Sequence, residues 1–194
     1  MTPRSNASLQ VISNPPPVLP SAVLGMLVFV IAEMMLFAGF MSAFAIVKSG
    51  TLGWPPPGQP RLPVEATAFN TAVLLASAVL LFIANRSFTH KREHARRPLF
   101  WAVGLGAFFV AFQGYEWVML IRQGLTLTYS NHGSFFFLIV GLHGLHVIAG
   151  LTVLARASLQ LSKGVLAPST FVAAQVFWYF VVGLWPVLYF MVYL

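Results

Sequence analysis

The chain has 194 residues, of which 58% are hydrophobic, 14% aromatic and only 8% charged. A soluble domain carries about a quarter charged residues, so this composition excludes an ordinary water-soluble fold and points to lipid as the solvent. The formal charge of +7 does not indicate nucleic acid, because most basic residues fall in short connections between apolar runs; with no cysteine, thiolate metal sites, thiol-linked haem and disulfides are also excluded.

The first 20 residues, MTPRSNASLQVISNPPPVLP, lack the apolar core and cleavage site of a secretory signal. Pro15, Pro16, Pro17 and Pro20 remove backbone donors and block helical neighbours, so residues 1–20 are expected to form an extended arm on the membrane surface. Beyond the arm, residues 21–194 read as a single all-α membrane domain. Crossing a hydrocarbon core of ~30 Å takes about 20 apolar residues at a rise of ~1.5 Å each. Five runs meet that length, at about 21–47, 66–85, 99–121, 134–155 and 170–194, which predicts a bundle of five transmembrane helices.

Lys and Arg divide unevenly between the two sides of such a bundle. Arg4, Arg86, Lys91, Arg92, Arg96, Arg97, Arg156 and Lys163 lie on one side, against Lys48, Arg61 and Arg122 on the other. Since inner loops collect positive charge, the N-terminus is expected in the cytoplasm or matrix and the C-terminus on the outer side. Trp54, Trp101, Trp117, Arg86, Arg96 and Arg97 are expected interface anchors; Trp54 and Arg156 are also candidate contacts for ordered lipid. No internal repeat suggests an inverted-repeat transporter.

Polar groups within the spans are few, and each is costly unless it faces protein or water. The first span holds Glu33, the third Gln113 and Glu116, the fourth His143 and His146, and the fifth Gln175. Glu33 lies about 18 Å into the core from Ser21, and His143 about 13 Å in from the opposite side at Ser134. The two depths coincide, so Glu33 is expected to be held by an imidazole of the fourth span. Glu116, about 26 Å along its helix from Leu99, belongs nearer the outer interface.

The pair His143 and His146 sits in GLHGLHVIAG, residues 141–150. Spacing by three puts both rings on one side of a helix, compatible with two ligands of one metal if other chains or helices supply more, or with interhelical hydrogen bonding alone. Ligation of one haem from both faces is excluded, because both rings project from the same side. Gly141 and Gly144 lie on the opposite side and permit a close helix neighbour. A mid-bilayer carboxyl such as Glu33 has two readings, proton relay or a protonated structural group.

These residues resemble a known family. GLHGLHVIAG matches the Gly-Phe-His-Gly-Leu-His-Val signature of cytochrome c oxidase subunit III, with Leu142 in place of phenylalanine. AEMMLFAGFMSAF (32–44), WPPPG (54–58), NTAVLLASA (70–78), QGYEW (113–117) and GSFFFLIVG (133–141) follow in the family's order. The chain is similar to its short five-helix prokaryotic form.

The resemblance implies a non-catalytic accessory subunit of a haem-copper terminal oxidase in a prokaryotic cytoplasmic membrane. Such a subunit binds no metal or cofactor of its own, with haems and copper expected in the catalytic subunit I and the copper-bearing subunit II, and cytochrome c as donor to the complex. It binds structural phospholipids and supports proton uptake by its neighbour, and Glu33 falls on the family's buried, carbodiimide-reactive glutamate. Tyr179 and Val182 stand where the family commonly has histidine and aspartate. That departure keeps open a subunit-III-like component of a quinol oxidase or a nitric-oxide reductase. An independent metal-dependent membrane enzyme or small transporter built on Glu33, His143 and His146 is the alternative from another class.

Overall fold

The computed structural model describes residues 19–50, 62–124 and 131–193. These residues form five helices: α1 (Ser21–Ser49), α2 (Val64–His90), α3 (Arg92–Arg122), α4 (Asn131–Ser162) and α5 (Pro168–Leu188), the last running into a π-helical turn at Tyr189–Tyr193. All five are long and apolar enough to cross a membrane, and no strand occurs among the described residues. The expected arm lies outside the described residues apart from Leu19 and Pro20. Pro20 opens α1, its carbonyl accepting from the N–H groups of Val23 (2.9 Å) and Leu24 (3.1 Å).

The helices overrun the apolar stretches from which they are read. The charged segment expected as the connection between the second and third spans is helical on both sides of a single extended residue, Lys91 (φ −146°, ψ 108°). Outside the hydrocarbon, charged side chains are solvated while the backbone continues to satisfy its own hydrogen bonds, so apolarity marks the membrane crossing and not the helix end. The fifth span departs in the other direction. Pro186 supplies no N–H, and three residues beyond it the hydrogen-bond register widens into the π turn. After α4, Gly164 takes a positive φ of 75°, which lets Val165 N–H reach back to the Gln160 carbonyl at 3.0 Å and closes the helix.

Helix α5 is the hub. Its indoles point into the bundle, where Trp178 Nε1 donates to Ser77 Oγ (3.2 Å) and Trp185 Nε1 to Thr71 Oγ1 (2.8 Å), both on α2. Trp178 is fully buried between two glycines. A Cβ at Gly106 of α3 would lie 2.8 Å from its ring, and one at Gly150 of α4 would lie 3.1 Å away. Thus α2, α3 and α4 all close on one side chain.

Helix α1 is more loosely engaged. Only Val23, Val30, Phe37 and Phe44 are buried, every seventh residue, a stripe one side chain wide against α4 and α5. The remainder of its surface, including Leu24, Val28, Ile31 and Met35, is apolar and exposed, as for a helix facing lipid. Lys48 at its end donates to the Met191 carbonyl at 3.3 Å. At the opposite end of the bundle, Phe88 of α2 packs on Phe171 of α5 (4.9 Å between centroids), and Arg96 of α3 donates to the carbonyl of Ser162 in α4 (3.1 Å).

The slot around Trp178 sets a stability test. Gly106→Ala is expected to lower thermal stability of the assembled protein by about 1–3 kcal/mol, since the indole is held by Ser77 and cannot retreat. Gly104→Ala, where the new methyl meets nothing within 4 Å, serves as control and should leave the melting temperature unchanged or slightly raised.

Candidate functional site

Glu33 projects from the middle of α1 towards α4, and its Oε2 lies 3.0 Å from His146 Nε2. Both side chains are largely but not wholly buried, at 15% and 13% exposure, so the pair sits in the α1–α4 seam with one edge open. The other ring nitrogen, Nδ1, lies 2.8 Å from the carbonyl of Leu142, one helical turn earlier. A carbonyl only accepts, so Nδ1 carries a proton. Nε2 is thus the nitrogen left to face Glu33, in a contact of 3.0 Å. The contact lies off the ring's N–H axis, a close polar contact and not a straight hydrogen bond.

Phe37, one turn beyond Glu33, presents its fully buried ring edge-on to both imidazoles, at 5.4 Å from His146 and 6.3 Å from His143. His143 is placed differently from its partner in the motif. It is 1% exposed, stacked on Trp185 at 5.1 Å, and neither of its nitrogens has a hydrogen-bond partner among the described residues. The spacing brings both imidazoles to one side of α4, as expected, but only His146 meets a polar group. His143 fills a slot between rings.

Gln113 and Glu116 form a separate cluster near the C-terminal end of α3. Glu116 Oε2 accepts from Thr67 Oγ1 (3.1 Å) and from Gln113 Nε2 (3.2 Å), and Gln113 Nε2 also donates to Tyr193 Oη (3.2 Å). This cluster ties α2, α3 and the π turn together with both acidic and amide side chains buried. It shares no residue with the Glu33–His146 pair, so the five polar candidates divide into two sites and a packed histidine.

Other polar members of the core escape a search for ionisable residues. Thr67, Asn70, Thr71 and Ser77 are buried along one face of α2, where Asn70 Nδ2 donates to the Phe109 carbonyl at 3.2 Å. Their spacing of three and four residues was the available signal, masked by the small size of the side chains. Gln175 donates to Asn85 Oδ1 at 3.2 Å, pairing α5 with α2. Gly144 lets Trp117 of α3 approach to 3.2 Å of its missing Cβ, so α4 is packed closely on the side away from the histidines as well. Of the lipid candidates, Arg156 is exposed on α4 and Trp54 lies outside the described residues. Val182 is buried within the chain, and the half-buried Tyr179 has a hydroxyl without a partner among the described residues.

A five-helix bundle of this length and apolarity, with a carboxyl–imidazole pair in its seam and a polar clasp towards one end, defines a polytopic membrane protein. The family model for cytochrome c oxidase subunit III matches residues 14–194. Cytochrome c oxidase subunit 3 of Felis catus is 37% identical over 179 residues, covering 87% of this chain and 67% of the relative; the protein of the same name from Mus musculus is 36% identical over the same spans. The chain belongs to the cytochrome c oxidase subunit III family and is an accessory subunit of a haem-copper respiratory oxidase.

Two measurements test the site. With ¹⁵N-labelled histidine, Nδ1 of His146 should show the pyrrole-type resonance that donation to the Leu142 carbonyl requires; a pyridine-type resonance at Nδ1 would overturn that assignment. Glu116→Ala should destabilise the bundle by about 1–3 kcal/mol by orphaning the Thr67 hydroxyl and one of the two Gln113 N–H groups, whereas Glu116→Gln, which retains an acceptor, should cost clearly less in the same thermal melts.

Proposed function

We propose that the chain serves, without catalysing electron transfer itself, beside the catalytic subunit I and the copper-bearing subunit II of a terminal oxidase that takes electrons from cytochrome c in a prokaryotic cytoplasmic membrane. Its work there is to brace the catalytic subunit, to seat phospholipids and to support proton uptake by its neighbour. The excess of basic residues on one side supports an orientation with the N-terminus in the cytoplasm. The observation that carries this reading is the close approach of the Glu33 carboxyl to the His146 imidazole in the α1–α4 seam, within helices that otherwise face lipid.

The packing supports an accessory role over an independent metal enzyme. His146 is engaged by Glu33 and by the Leu142 carbonyl, and His143 is covered by Trp185 and Phe37. Among the described residues no three His, Asp or Glu side chains come together in a way that would hold a metal ion. For lipid, the support is an open apolar groove of about 910 Å³ between α1 and the end of α5, lined by Phe44, Pro186, Val187 and Phe190, with Lys48 at its rim. Acyl chains along the groove and a phosphate near Lys48 match that lining, which adds a candidate to Arg156 and Trp54.

Purified oxidase carrying Glu33→Ala should assemble with its full complement of haem and copper, yet complete fewer turnovers before inactivating or take up protons more slowly. Equal turnover number, pumping ratio and lifetime in variant and parent would remove Glu33 from the function.

A further inference from the structure

The corner between α2 and α3 lies apart from the lipid candidates named above, and the inference drawn from it rests on the lipid-seating role proposed for the chain. There the last turn of α2, Lys91 and the first turn of α3 enclose an open groove of about 480 Å³. Arg86, His90, Lys91 and His94 line its polar end, and Phe82 and Ile83 line the other. Among the described residues no carboxylate lines it, and none of the four basic side chains is paired with one. Phe82 and Ile83 are 60% and 45% exposed, and they lie about one turn below Arg86 on the same helix, towards the middle of the membrane.

We propose that this groove seats an anionic phospholipid, its phosphate against Arg86, Lys91 and the two histidines and the start of an acyl chain along Phe82 and Ile83. Charge complementarity calls for an anion: two fixed cations and two imidazole N–H donors converge where the helices leave the hydrocarbon. The continuous apolar wall selects the lipid from among anions. An acidic segment of a neighbouring protein would satisfy the cations but would leave exposed aromatic and aliphatic side chains beneath them at the depth of lipid tails. A free phosphate would leave the same wall bare. A phospholipid is the one chemistry that joins the two requirements in a single molecule, and it would bridge α2 and α3 at the point where their connection is shortest.

The test uses the intact oxidase in phosphatidylcholine nanodiscs containing a minor share of phosphatidylglycerol with a photoreactive acyl chain. Illumination should label the peptide spanning Phe82 to His94. The double variant Arg86→Gln, Lys91→Gln, both exposed positions, should reduce that labelling roughly tenfold, since each surface cation contributes several-fold to anionic lipid affinity. Phosphatidylcholine bearing the same photoreactive chain should label the site weakly, and millimolar inorganic phosphate should not displace the phosphatidylglycerol. Equal labelling by both lipids, labelling unchanged in the double variant, or loss of labelling to inorganic phosphate would overturn the proposal. So would cross-linking of this corner to a neighbouring subunit in place of lipid. Because the readout is lipid labelling and not turnover, its failure is distinguishable from a failure of the role assigned to Glu33.

Discussion

Hydrocarbon offers no hydrogen bonds, so every polar group that the bundle draws inside must find its partner in another helix or remain unsatisfied. The architecture follows from that constraint. Hydrophobic burial does little to hold membrane helices together, since lipid tails are as apolar as leucine; close packing and interhelical polar bonds take its place. Here both meet on α5. Trp178 fits a slot made by two glycines on two helices, and its N–H, with that of Trp185, is bonded to hydroxyls of a third. At Gly106, where an added Cβ would fall 2.8 Å from the ring, substitution would do more than add a methyl group: it would press the indole away from Ser77 and strand a donor inside the bundle.

The same rule separates the functional candidates. Glu116 is a clasp: its Oε2 accepts from Thr67 on one helix and from Gln113 on its own, and Gln113 extends the bond to Tyr193 in the terminal turn. Glu33 is held more lightly, by one contact at 3.0 Å with an open edge, on the helix with the narrowest buried stripe. A group whose work is to fasten gathers several bonds and disappears from the surface. Glu33 does neither: it keeps a single close contact with His146 and an edge open to its surroundings.

Five crossings were legible because the apolar runs are long, and the convergence of Glu33 on the fourth helix followed from depth alone: 1.5 Å per residue places both groups near mid-membrane whatever the packing. Rotation about the helix axis was less accessible. Spacing put His143 and His146 on one side, but a separation of three residues still turns one ring from a carboxyl to an indole, and nothing local specifies which. The hydroxyls of Thr67, Thr71 and Ser77 went unread because such side chains on a membrane helix can bond to their own preceding turn, as Thr71 does with the Thr67 carbonyl at 2.7 Å. Only the placement of α5 shows that Thr71 and Ser77 also receive indole N–H groups. Helix ends were misjudged for a simpler reason: charge ends the membrane crossing, whereas Lys91 and Pro186 alter the backbone.

His143 is among the residues that the polar rule does not reach, and its surroundings indicate why it can stay. Its ring is stacked on Trp185 and approached edge-on by Phe37, so what the site recognises is a flat ring of definite thickness between two others. Each aromatic contact of this kind contributes about 0.5–1.5 kcal/mol beyond area burial, which offsets part of the cost of two unsatisfied nitrogens. The slot also stiffens the turn of α4 that carries His146, since Phe37 touches both imidazoles. On this view the two histidines divide one task. His143 fixes the height and rotation of the helix through its faces, and His146, held in that register, presents one nitrogen to Glu33.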